Sequence, residues 1–131
     1  MFDQLYTYKI TDVVKNYDGD TVTVVIDVGF HITRQERIRL LNIDTEELRG
    51  GTVQSKARGY AGKDRLAELL AMGQVYVITE KDHTGKYGRL LGWLYVKQDD
   101  GKIIDVNKTL VAEGYEKGVT TPLIESVQYT S

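Results

Sequence analysis

Residues 5–28 read LYTYKITDVVKNYDGDTVTVVIDV, two apolar runs around a polar break. From Leu5 to Lys15 and again from Thr21 to Val28, β-branched and aromatic residues dominate, the composition of strands. Between them, Asn16-Tyr17-Asp18-Gly19-Asp20 has turn chemistry: glycine supplies a positive φ, and aspartate bonds back to its own backbone. The pattern predicts a β-hairpin. A third run, His31 to Ile43, follows Gly29 with Ile, Leu and Arg in near-alternation and extends the hairpin into an antiparallel meander.

Downstream, Thr45 to Val53 combines two adjacent glycines with charges and no periodicity, so it reads as a loop. Gln54 to Met72 reads as a helix ending at Gly73, with Leu66, Leu69 and Leu70 as its core stripe. Gly59 and Gly62 weaken that helix by about 1 kcal/mol each unless a close approach to the sheet needs them. Val75 to Thr79 and Gly88 to Val96 read as strands, Asp99-Asp100-Gly101 as a turn into Ile103-Ile104, and Val106 to Glu113 as a short helix stopping at Gly114. Five or so short antiparallel strands with one long and one short helix predict a mainly β fold, a small closed or nearly closed barrel with helices packed outside it. The 131 residues are expected to form one domain, with 119–131 as a tail of unassigned structure.

Composition narrows the function classes. Without cysteine, disulfides, thiolate metal sites and cysteine nucleophiles are excluded. A net charge of −2 provides no global positive field of the histone kind. Locally, Leu48 to Arg65 carries Arg49, Lys56, Arg58, Lys63 and Arg65 against only Asp64, read as a solvated loop and helix face. No apolar run approaches the roughly 18 residues of a membrane span, and Met1 to Ile10 lacks the pattern of a secretory leader. The expectation is a cytoplasmic protein as written, secreted if a leader was removed, with no membrane association and a monomeric state.

Three segments could carry chemistry. Asp18-Gly19-Asp20-Thr21 places two carboxylates at a hairpin tip, readable as a plain turn or as a metal site. In Arg39-Leu40-Leu41-Asn42-Ile43-Asp44-Thr45-Glu46-Glu47, a strand ends in three acids within four residues. Strand alternation would point Arg39 the same way as Ile43, toward the core or a cleft, where a guanidinium needs an anion: an internal partner such as Asp44 or Glu47, or a ligand. Thr84-Gly85-Lys86-Tyr87-Gly88-Arg89 is a glycine-punctuated turn whose Arg89 lies just inside a strand, and it lacks the spacing of a phosphate-binding P-loop.

If Asp20, Asp44 and Glu47 converge within about 4 Å, each like-charge pair costs on the order of 4 kcal/mol at an effective dielectric of 20. Such a cluster demands a cation. All-oxygen ligands select Ca²⁺ or Mg²⁺, and a loop after Asp44 suits the tolerant geometry of Ca²⁺ better. His31 and His83 have no ligand spacing and read as loop residues; Trp93 reads as core, and Asp12, Asp27 and Asp105 as surface or cap residues.

The order Asp-Gly-Asp-Thr, Arg-Leu-Leu-x-x-Asp-Thr-x-Glu, Lys-Tyr-Gly-Arg and Val106-Asn107-x-x-Leu110-Val111-x-x-Gly114 resembles the staphylococcal nuclease (thermonuclease) family over roughly Lys9 to Gly118. The resemblance implies a five-stranded OB-fold barrel acting as a calcium-dependent phosphodiesterase on DNA and RNA, leaving a 3′-phosphate and a 5′-hydroxyl. By position it makes Asp20, Asp44 and the Thr45 backbone carbonyl ligands of Ca²⁺, with Asp18 holding metal-bound water. It places Glu47 as general base, Arg39 and Arg89 on the scissile phosphate, and Lys86 and Tyr87 on a neighbouring phosphate. The chain departs from the family in having Glu46 where proline is usual, in offering no evident base-stacking aromatic shortly after the final helix, where the tract reads Tyr115-Glu116-Lys117-Gly118-Val119-Thr120, and in having no recognisable C-terminal helix in Thr121 to Ser131. A binding module on the same barrel that holds nucleic acid or protein without cutting is the alternative.

Overall fold

A computed structural model describes residues 6–43, 53–84 and 90–115, without the side chains of Ser55 and residues 80–84. β1 (Thr7–Asp18) and β2 (Thr21–Asp27) form the expected hairpin, and β3 (Thr33–Leu40) continues the meander antiparallel to β2. β3 is shorter than its apolar run. Phe30 and His31 before it and Asn42 after it all have positive φ, which no strand accommodates. The hairpin tip, by contrast, turns without a left-handed Gly19, since the positive-φ glycines among the described residues are Gly29, Gly101 and Gly114.

After α1 (Val53–Leu70), β4 (Gln74–Thr84) pairs antiparallel with both β1 and β5 (Leu90–Lys97). The barrel closes in the order β1-β2-β3-β5-β4, back to β1, with Ile38, Arg39 and Leu40 of β3 beside Leu90, Leu91 and Gly92 of β5. That closing pair is parallel, which corrects the expectation of a wholly antiparallel sheet. The reason is parity: around a closed ring of five strands, directions cannot alternate at every contact. β6 (Ile103–Asp105) pairs with Tyr95, Val96 and Lys97, covering the part of the β5 edge that β3 does not reach. This is the OB-fold barrel with two packed helices.

Inside lie Val22, Val24, Ile38, Leu40, Val77, Leu94 and Val96, all fully buried. Leu66, Leu69 and Leu70 of α1 join this core as expected, as do Val106 and Leu110 of α2 (Val106–Ala112). Asp105 caps α2 by accepting from the Lys108 N–H at 3.0 Å. Two expectations fail on strand alternation and extent. Gly92, Leu94 and Val96 face inward on β5, so Trp93 points outward and is half-buried beside α2 rather than in the core. His83 lies in β4 and not in a loop.

Gly92 sits where β3, β4 and β5 meet. A Cβ there would lie 2.9 Å from Val77 Cγ2 and 3.3 Å from Ile38 Cγ2, so the closing strands approach this closely only around a glycine.

Candidate active site at the hairpin tip and the end of β3

The first carboxylates come from the hairpin. Asp18 ends β1 and accepts the Asp20 N–H on Oδ1 at 3.1 Å, an aspartate turn of the kind the sequence predicts. A plain turn would leave both carboxylates in water, yet Asp20 is only 5% exposed. Its Oδ1 accepts the Thr21 hydroxyl at 3.0 Å, and its carbonyl accepts the Leu40 N–H at 2.8 Å, tying the tip to the end of β3. Behind the tip, the Gly19 Cα lies 3.8 Å from the position of a Cβ on Gly62 of α1, while Asn16 donates to the Lys63 carbonyl at 2.9 Å. The helix therefore buttresses the turn.

Arg39 pairs with Thr21 across β2 and β3, which aims its guanidinium along the same edge. Nη2 lies 3.5 Å from Asp20 Oδ2, while Nη1 donates to the carbonyls of Leu40 and Ile43. Asp20 is thus a carboxylate partner of Arg39 among the described residues. The expectation that Arg39 and Ile43 share a strand face fails because the strand stops at Leu40 and Asn42 turns left-handed; Ile43 enters the core while Arg39 stays partly exposed beside Asp20. Three features fix the fork before any ligand arrives: two backbone acceptors, a strand register and a carboxylate.

The two carboxylates oppose one another. Burial, with the adjacent Asp20 carboxylate, pushes Asp18 up to about 7. A half-buried and a buried carboxylate set beside one another form a donor set that a hard cation relieves, because bound positive charge favours both ionised forms. The residues fit such an ion, in kind. Among the described residues no third carboxylate or histidine joins them. Asp44, Thr45, Glu46, Glu47, Lys86, Tyr87 and Arg89 lie outside the described residues, as does Thr121 to Ser131.

Sequence reasoning gave no role to the residue that holds the β3 exit. Asn107, 1% exposed, donates to the carbonyls of Leu41 at 2.7 Å and Gly92 at 3.2 Å and accepts the Leu94 N–H at 3.0 Å. One buried amide thereby joins α2, β5 and the turn that leads toward Asp44. Its signal was available: a single carboxamide among Val106, Leu110 and other apolar residues of a short helix. The basic stretch also divides. Lys56 is exposed, whereas Arg65 grips Glu113 with Nε at 2.7 Å and Nη2 at 2.8 Å and reaches Glu68 at 3.0 Å, locking α1 to α2.

Comparison with known proteins agrees with the geometry. The chain is 34% identical over 98 residues to endonuclease YncB of Bacillus subtilis, covering 74% of this chain and 42% of that protein. It is 35% identical over 98 residues to the SPbeta prophage-derived endonuclease YokF of the same organism, covering 74% and 30% respectively. It is 34% identical over 88 residues to protein ParB of Escherichia coli, covering 67% and 42%. The chain thus spans less than half the length of these curated relatives. The profile described as staphylococcal nuclease homologue matches residues 37–125, from the strand that carries Arg39 through the helix that carries Asn107 and beyond. With the barrel order and the tip-to-β3 junction both in place, the chain belongs to the staphylococcal nuclease homologue family.

Proposed function

We propose that this chain is a calcium-dependent nuclease that hydrolyses phosphodiester bonds of DNA and RNA with little sequence preference, leaving 3′-phosphate products. The observation that carries the reading is the junction of the half-buried Asp18 and buried Asp20 carboxylates with the fixed Arg39 guanidinium. Membership of the family and the endonuclease names of two relatives support it.

Asp20 and Asp44, with the Thr45 carbonyl, would hold one Ca²⁺, and Asp18 would accept from water beside it. Bound there, Ca²⁺ supplies polarisation of a phosphoryl oxygen and offsets the charge of the substrate. The other work falls to the chain itself. Arg39 and Arg89 donate to the non-bridging oxygens of the scissile phosphate, and their hydrogen bonds strengthen as negative charge grows in the transition state. Glu47 accepts the proton of the attacking water, a contribution typically of about 10² to 10⁴-fold. Water adds at phosphorus as the bond to the 5′ oxygen breaks, and the departing 5′ alkoxide takes a proton from solvent to become the hydroxyl. Lys86 and Tyr87 hold an adjacent phosphate.

The test is digestion of single-stranded DNA, duplex DNA and RNA with Ca²⁺ or with chelator, followed by end-group analysis. Chelator-sensitive cutting that yields 3′-phosphate and is lost in Arg89→Ala is the expected result. Binding that survives chelation without any cutting would instead establish a non-catalytic module.

A further inference from the structure

The outward faces of β1, β2 and β3 carry two rows of paired residues. Asp18, Thr21 and Arg39 form the row of the site, and Lys15, Thr23 and Arg37 form the next. The β1 register shifts between Asn16 and Asp18, leaving Tyr17 unpaired with β2. Its ring centroid is 4.4 Å from Arg37 Cζ and 4.7 Å from Lys15 Nζ. The phenol oxygen accepts from Arg37 Nη2 at 3.0 Å and from the Thr23 hydroxyl at 3.2 Å.

Two cations thus converge on one neutral ring. Among the described residues neither is in an ion pair; the nearby Glu36 is engaged by Arg34 at 2.7 Å. The π face and one oxygen attract both cations but neutralise neither, and Arg37 keeps further N–H donors for a ligand. Such a cluster takes an anion. Arg37 and Arg39 are two residues apart on one strand face, about 6.6 Å, the scale of one nucleotide step in an extended single strand. Among the described residues the row is accessible to a running polymer: Lys15 and Arg37 are both exposed.

We propose that Lys15 and Arg37, with Tyr17 as the positioning residue that orients the guanidinium, form a phosphate-binding subsite for single-stranded polynucleotide, one step along the backbone from the phosphate at Arg39. The proposal rests on the nuclease reading above. It predicts tighter capture of polymers than of dinucleotides, through sequence-independent backbone contacts.

The test compares wild type, Lys15→Ala/Arg37→Ala and Tyr17→Phe by fluorescence anisotropy in chelator, using a single-stranded oligonucleotide of about a dozen nucleotides and a dinucleotide. Thermal melts verify folding. The double variant should bind the longer strand about tenfold more weakly, with a slope of log K against log salt shallower by about 0.7 per lost contact. Its dinucleotide affinity should be unchanged, and in Ca²⁺ its KM for polymer should rise at constant kcat. Tyr17→Phe keeps the ring and should lose only part of the affinity. Unchanged polymer affinity and salt slope in a double variant that still cuts would overturn the subsite and leave the nuclease reading standing. A wild type that neither binds nor cuts polynucleotide would overturn both. Equal binding of polyglutamate, with the same dependence on Lys15 and Arg37, would show a general polyanion patch and overturn the assignment to nucleic acid.

Discussion

Arg39 illustrates how much of a site can reside in one side chain's surroundings. Its guanidinium is held by two backbone carbonyls and by Asp20, so the side chain is ordered before substrate arrives. Lysine would keep the charge but could not serve two carbonyls, a carboxylate and a phosphate in the same geometry. Arg39→Lys is therefore expected to lower kcat by about 10²-fold in a protein that melts close to wild type; steady-state digestion with a parallel melt checks both. Asn107 matters to the same site without touching substrate. Removing its amide in Asn107→Ala strands the Leu41 carbonyl and the Leu94 N–H in the interior, while the Gly92 carbonyl keeps the Leu41 N–H at 2.9 Å. The expected cost is about 3 kcal/mol of stability, measured by denaturant titration at unchanged slope.

Among the elements, α1 determines how firmly the hairpin tip is supported. Gly62 faces Gly19 and Tyr115, but an added Cβ would meet its nearest neighbours at 3.7 and 3.8 Å, which is ordinary contact. The helix therefore keeps the conformational cost of a glycine at this position without a steric need for it. Gly62→Ala is expected to stabilise the protein by about 0.5–1 kcal/mol, read as a rise in the denaturation midpoint; a fall would mean that the tip and helix are closer than this packing allows. The other anchor is the Arg65–Glu113 fork, which holds α1 to α2 and so couples the support of Asp18 to the helix that carries Asn107.

At the scale of the whole molecule, closure through a parallel β3–β5 contact concentrates strain tolerance at Gly92. Gly92→Ala would press a methyl against Val77 and Ile38, both rigid at χ1, and should cost about 1–3 kcal/mol; equilibrium unfolding supplies the measurement. Stability should also fall at alkaline pH. Burial pushes the phenols of Tyr95 and Tyr115 above their ordinary value of 10.0. Each raised phenol contributes stability that is full below its unfolded value and is lost as pH rises through its folded one. Tyr17 acts in the opposite sense, since the Thr23 and Arg37 hydrogen bonds lower its phenol. Melting temperature followed from pH 8 to 11 should decline, and the decline should be shallower in Tyr115→Phe. An equally steep decline in that variant would place the lost stability elsewhere.

The order of strands and helices, the hairpin at Asp18-Gly19-Asp20 and the leucine stripe of α1 were legible in the linear chain, because residue periodicity and turn chemistry are local properties. The motif order likewise pointed to the family. Only the folded chain decided which way three side chains face: Arg39 away from Ile43, Trp93 out of the core, Asn107 into it. Those outcomes depend on closing an odd-membered barrel, on contacts between residues 66 positions apart such as Leu41 and Asn107, and on the register that sets Lys15 and Arg37 around Tyr17. No local pattern encodes such distances, since they are set by where the chain returns and what it finds there.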